Sequence, residues 1–182
     1  MAGITPSQTV GPFFSGALLR DPLNVLAGEG AHGQRIRLEG RVLDGDGQPV
    51  PDALVEIWQA NAAGRYHHPA DTRDIPTDPA FTGFGRSGTD DDGRYWFDTV
   101  KPGPIPPQAP HVNVTVFARG LLNHLSTRIY FDLDEKDPVL KLVPVSRRPT
   151  LLARAVSPDL YQFDVVLQGP PDRETVFFAF RR

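Results

Sequence analysis

The stretch from Asp98 to Arg119, DTVKPGPIPPQAPHVNVTVFAR, constrains the chain more than any other. A Pro- and Gly-dense loop from Pro102 to Pro110 runs directly into an alternating segment that opens at His111. Proline fixes φ and supplies no N–H, so such a loop is stiff without being helix or ladder. From His111 the period is two. Val112, Val114 and Val116 take one face, while His111, Asn113, Thr115 and Phe117 take the other. A stiff loop delivering side chains at i and i+2 to one face of a strand is a geometry suited to a metal site. Here the geometry is present and most of the donors are not: the i+2 place holds Asn113, whose amide is a poor ligand for a transition metal.

The same alternation of breakers and short β-prone runs extends over the chain. Its 19 prolines and 17 glycines punctuate apolar segments and form no low-complexity tract. That pattern predicts an all-β fold with many turns. Strands are expected at 35–43, 53–60, 94–99, 111–117 and 127–131, with a hairpin of 151–156 against 161–167 and a last strand at 174–180. Residues 53–60 are apolar on both faces, which marks a central or interface strand. The turns Asp44–Gly47 and Asp90–Gly93 lack the EF-hand ligand spacing and read as hairpin turns. Residues 61–93 form a long excursion. Its GFGRSG has the glycines of a phosphate loop without the lysine or the following helix, so it reads as plain loop. A short helix is expected between Asp21 and Leu26. Apolar strand faces need a second sheet to cover them, so the expected architecture is a two-sheet β-sandwich of roughly eight strands. It forms one domain over 1–182, with residues 1–34 as an arm and loop region. The arm carries Phe13 and Phe14, which either tuck into their own core or are donated to a neighbour.

Several function classes are disfavoured. The net charge is −3 with no basic stripe, which argues against nucleic-acid binding. There is no cysteine, hence no disulfide and no thiolate metal site, in keeping with a cytoplasmic protein. No signal-peptide pattern and no apolar run of membrane-spanning length is seen. No Gly-x-Ser-x-Gly nucleophile motif occurs. His67 and His68 are adjacent and face opposite ways on an extended chain, so they do not converge on a metal. Tyr66 reads as a packing residue with its hydroxyl in water. Arg119, at the end of the organising strand, either meets a carboxylate of a substrate or partner or is a solvated charge.

The segments VEIWQANAAGRY, FGRSGTDDDGRYWFDTVKPGP, PHVNVTVFARG, TRIYF and YQFDVVLQG together resemble the intradiol ring-cleavage dioxygenases, over essentially residues 5–180. The resemblance implies that family's two-sheet sandwich. It also implies a non-haem Fe(III) held, in catalytic chains, by two tyrosines and two histidines. The second tyrosine follows Lys-Pro-Gly-Pro, where this chain has Ile105; the first falls at or beside Arg73. Of the histidine pair, His111 is kept and Asn113 replaces the other; an arginine three residues earlier is Gln108 here. The implied picture is an iron-less chain that binds no metal and has no catalytic residue of its own. It would complete the pocket of a partner chain that holds the iron and cleaves a carboxylated catechol with O2 between its two hydroxyl-bearing carbons. Thr9, Gly11, Pro12 and Arg119 match the positions that would border that pocket. Two other readings stay open. One is a self-sufficient dioxygenase with a rebuilt site using Tyr66, His67, His68 or His111; the other is a β-sandwich binding module without redox chemistry.

Overall fold

The computed structural model describes residues 3, 5–19 and 23–179. Among the described residues nine strands form two sheets. They are β1 (Arg35–Leu43), β2 (Leu54–Gln59), β3 (Phe84–Gly88), β4 (Arg94–Val100), β5 (His111–Phe117), β6 (Leu125–Tyr130), β7 (Arg154–Ser157), β8 (Leu160–Gln162) and β9 (Val165–Val166). One sheet has the order β4-β1-β8-β7, with β9 beside β1; the other has the order β3-β2-β5-β6. The two-sheet sandwich read from the periodicity is therefore the fold. Among the described residues no helix is long and apolar enough to cross a membrane.

Period-two burial places the core between the sheets. Ile36, Leu38 and Val42 of β1 face Val55 and Ile57 of β2 and Val112, Val114 and Val116 of β5 in one apolar cluster. Each such valine or isoleucine, withdrawn from water, contributes about 1.5–3 kcal/mol of transfer free energy. A smaller cluster of Ala109, Tyr130, Leu140, Val143 and Leu151 closes the far side of β6. β2 is central, flanked by β3 and β5; its Val55 and Ile57 face the core between the sheets, and Trp58 on its outer face is covered by Tyr66.

Several expectations change. GFGRSG is not loop: its residues 84–88 are β3, antiparallel to β2 with Ile57 opposite Gly85. A Cβ on Gly85 would come within 2.5 Å of Leu26 and 3.0 Å of Phe97, so the glycine marks a close approach and not flexibility. The turns Asp44–Gly47 and Asp90–Gly93 join β1 to β2 and β3 to β4, and each of these pairs lies in different sheets, so they are crossings and not hairpins. The expected final strand at 174–180 has no assigned ladder over 174–179; Thr175 bonds back to Val166 and Phe178 to Ser126 (3.1 and 2.8 Å), and Phe180 lies outside the described residues. The C-terminal hairpin is shorter than read, with β7 against β8 only, and Leu151 sits in a 3-10 turn.

Near the N-terminus the helix expected at Asp21–Leu26 is not seen. Asp21 and Pro22 lie outside the described residues, and Leu23, Val25 and Ala27 make extended bridges to Arg86, Asp98 and Phe81. A five-residue helix, α1 (Phe14–Leu18), stands instead at the end of the arm.

Candidate functional site: the two ends of one strand

β5 carries chemistry at both ends, on the face turned away from the core. At its start, His111 is 1% exposed, and its Nδ1–H donates to the Ala109 carbonyl at 2.8 Å. A carbonyl only accepts, so the proton is on Nδ1 and the lone pair is on Nε2. That Nε2 lies 3.5 Å from the Tyr66 hydroxyl, which in turn accepts a bond from Asn113 Nδ2 at 3.1 Å. Tyr66 stacks on Trp58 with ring centroids 5.6 Å apart. Its hydroxyl is thus tied into the protein and is not the solvated group the sequence suggested. Burial raises the Tyr66 pKa, against the Asn113 bond and the Arg128 and Arg73 charges, which lower it. Burial, with help from Arg128, lowers the His111 pKa to about 4, so the imidazole is neutral at physiological pH.

The remaining positions of the implied metal set are accounted for internally. Arg73 is turned into its own loop, with Nε on Asp71 Oδ1 at 2.8 Å and Nη2 on the Gly64 carbonyl at 2.9 Å. That pairing holds the Asp71 carboxyl well below its usual range. Ile105 and Gln108 close a tight loop on each other through backbone bonds of 3.0 and 2.7 Å. The Gln108 amide oxygen accepts from Arg128 Nη1 at 2.7 Å. Arg128 is the residue sequence reasoning missed. It comes from β6, where the ladder sets it opposite Asn113. Its Nη1 also reaches the Tyr130 hydroxyl at 3.3 Å, and its Nε is buried without a partner. No local signal reveals it, since its place depends on the β5–β6 register.

Ferric iron does not fit this set. A hard trivalent cation needs anionic oxygen donors, whereas this site offers one imidazole lone pair, a phenol kept protonated, an amide and a guanidinium. Among the described residues, no three His, Asp, Glu or Cys side chains are grouped to hold a metal ion. His67 and His68 do not join the set either: His68 packs edge-on against Trp58.

The other end of β5 is built differently. Arg119, just past the strand, pairs with Asp52 at 2.7 Å and is 55% exposed. The next residue, Gly120, donates its N–H to Thr9 Oγ1 at 2.7 Å. Two of the sequence-predicted pocket residues, one from each end of the chain's first 120 positions, are thereby brought together. The arm continues over the strand end, where Phe14 packs on Phe117 with centroids 5.4 Å apart. Gly11 accepts from Phe14 N–H at 3.1 Å, so Gly11 and Pro12 form the bend between Thr9 and that aromatic anchor. Both are exposed, and nothing lies within 4 Å of where a Cβ on Gly11 would sit. Beside them is a cleft of about 250 Å³ lined by Val10, Phe14, Phe117, Leu121, Leu122 and His124. Phe13 is 85% exposed. A larger cleft of about 1030 Å³ lies across β1, β3 and β4, but it is lined by none of the residues above. Its Arg37, Arg86 and Arg94 are already paired with Asp98, Glu56 and Asp92.

Comparison with known proteins places the chain among its relatives. A profile of the family described as Dioxygenase matches residues 10–169. The protocatechuate 3,4-dioxygenase alpha chain of Burkholderia cepacia is 45% identical over 96% of each chain. The beta chain of the same enzyme from that organism is 43% identical over 75% of this chain and 66% of its own. Among solved structures, the dioxygenase domain of a dioxygenase–carbohydrate-binding protein fusion from Streptomyces sp. SirexAA-E superposes with a TM-score of 0.63 at 27% identity. It covers 91% of this chain and 99% of that one. With the sandwich, the stiff loop and the organising strand all in place, the chain belongs to the intradiol dioxygenase family.

Proposed function

We propose that the chain is the alpha-type, iron-less subunit of a protocatechuate 3,4-dioxygenase. In this reading it pairs with a beta subunit that holds the Fe(III), and it contributes Thr9, Gly11, Pro12 and Arg119 to the wall of that subunit's substrate pocket. The enzyme cleaves protocatechuate with O2 to 3-carboxy-cis,cis-muconate in the cytoplasm. The observation that carries the reading is the contrast at β5. The family's metal-binding end is filled by Arg128, Gln108, Asn113 and a committed His111, while the Arg119 end is exposed. The relatives named as alpha and beta chains of one enzyme support a heteromer of related subunits.

Ferric iron, when bound by the partner, supplies activation of the catecholate toward O2. The contribution of this chain is positional. Arg119 supplies positive potential for the ring carboxylate. Thr9 holds the arm on the Arg119–Gly120 turn, and the bare Gly11 backbone lets the ring approach closely.

The test is iron content and visible absorbance of the chain purified alone and after co-expression with a beta chain. A colourless, iron-free lone chain and a red, active co-purified complex are expected. A lone chain that is coloured and cleaves protocatechuate overturns the reading in favour of a rebuilt site. A lone chain that folds as a monomer and does not bind any dioxygenase chain favours a binding module.

A further inference from the structure

We infer that Asp52 sets the pose of Arg119 and so tunes the preference for catechols that carry a ring carboxylate; the inference rests on the subunit reading above. The β2–β5 register pairs Leu54 with Phe117. One same-face pair further along, just beyond the ladder, it brings Asp52 opposite Arg119. The contact is side-on and two-point, with Arg119 Nη2 on Asp52 Oδ2 at 2.7 Å and Nε on Oδ1 at 3.2 Å. That uses one edge of the guanidinium. The Nη1–Nη2 edge points away from Asp52 and can take a second carboxylate, again two-point.

The backbone beneath Asp52 is fixed and unusual. Asp52 has φ +56°, the only positive φ at a non-glycine among the described residues. Aspartate is tolerated at such a turn position, as asparagine and glycine are, so the backbone permits Asp52 without requiring its charge, and that charge is what meets Arg119. The Thr89 hydroxyl locks both sides of the turn, accepting from Ala53 N–H and donating to the Val50 carbonyl, each at 2.8 Å. Arg119 is anchored from its own side by the bond of Gly120 to Thr9. An ion pair with side chains 55% and 33% exposed contributes little to folding. Its effect is on orientation: a guanidinium held before the substrate arrives loses less side-chain freedom on binding.

The experiment is steady-state kinetics of the co-purified complex with protocatechuate and with plain catechol. The variants are Asp52→Asn, Asp52→Gly, Arg119→Ala and the double Asp52→Asn/Arg119→Ala. Asparagine and glycine both tolerate the left-handed backbone, so the turn is retained. Each Asp52 variant is expected to raise the KM for protocatechuate about five-fold relative to that for catechol, with kcat within about two-fold. The double variant should be no worse than Arg119→Ala, because Asp52 acts only through Arg119. An unchanged or lowered KM for protocatechuate, or effects that multiply in the double variant, overturns the inference. Failure of the wild-type chain to form an active complex brings down the subunit reading and this inference with it. An active wild-type complex indifferent to Asp52 brings down this inference alone.

Discussion

At the usual strand rise His111 and Arg119, eight residues further along, stand roughly 25 Å apart, and the two ends of β5 treat polar groups in opposite ways. At the His111 end, the polar groups bond inside the protein: His111 to the Ala109 backbone carbonyl, Asn113 to Tyr66, and Arg128 to Gln108. At the Arg119 end, the groups meet at their edges and leave an outward side open. A site whose members are tied to one another, here with the Arg128 Nε left over, is structure; a site whose members are fixed in place yet still open outward is prepared for something that comes from outside. On the proposed subunit reading, one strand has lost a chemistry at one end and kept a recognition surface at the other.

The sharpest way to break this contrast is at the buried end. His111→Ala should cost about 2–3 kcal/mol of stability, from the cavity and the orphaned Ala109 carbonyl, read as a lower urea midpoint. Turnover of the heteromer should stay within a few-fold of the parent; a loss on the scale of a removed iron ligand would show that the two ends are not separate in function.

The same residue makes a pH prediction of similar size. Its folded-state pKa of about 4 lies below the ordinary 6.5, so the folded protein binds fewer protons than the unfolded chain between those values. The stability from the neutral imidazole is full above pH 6.5 and is lost as pH falls toward 4. The slope should flatten in His111→Ala. A His111 imidazole NMR signal that titrates near pH 6.5 would refute the buried, neutral state.

At the open end the order of effects reverses. Arg119→Ala should change stability by less than about 0.5 kcal/mol and raise the KM for protocatechuate about ten-fold, with little effect on plain catechol. Equal effects on both substrates would remove its electrostatic role. The smallest change is Gly11→Ala. A methyl there meets nothing in this chain, so melting of the lone chain should be unaltered, within about 1 °C. The complex should lose a few-fold in kcat/KM. An unaltered complex would mean that no ligand comes close to that bend.

The sequence made much of this legible and hid the rest for definite reasons. Alternation announced β1 and β5, because a half-buried strand has to alternate. β3 was obscured by its own glycines, which are there because the sheets press together at Gly85. The C-terminal ETVFFAF alternates like a strand, yet over 174–179 it spends its bonds singly, with Thr175 and Phe178 reaching different strands. The family resemblance implied missing ligands at Ile105 and Asn113. It could not show what replaced them, because Arg128 and Asp52 become neighbours of the site only through long-range pairing.

Arg128 has one more consequence, and it concerns history. A guanidinium bonded to Gln108 across from Asn113 holds a fixed positive charge beside the ground where the family's cation would lie. Restoring a single ligand, Asn113→His or Ile105→Tyr, would leave that charge in place and repel the metal it was meant to recruit. Removing Arg128 first would strip Gln108 and Tyr130 of their donor with nothing to replace it. On the proposed subunit reading, each of these single replacements passes through a worse protein, so the loss of the metal would be ratcheted, and coordinated replacements would be needed to undo it.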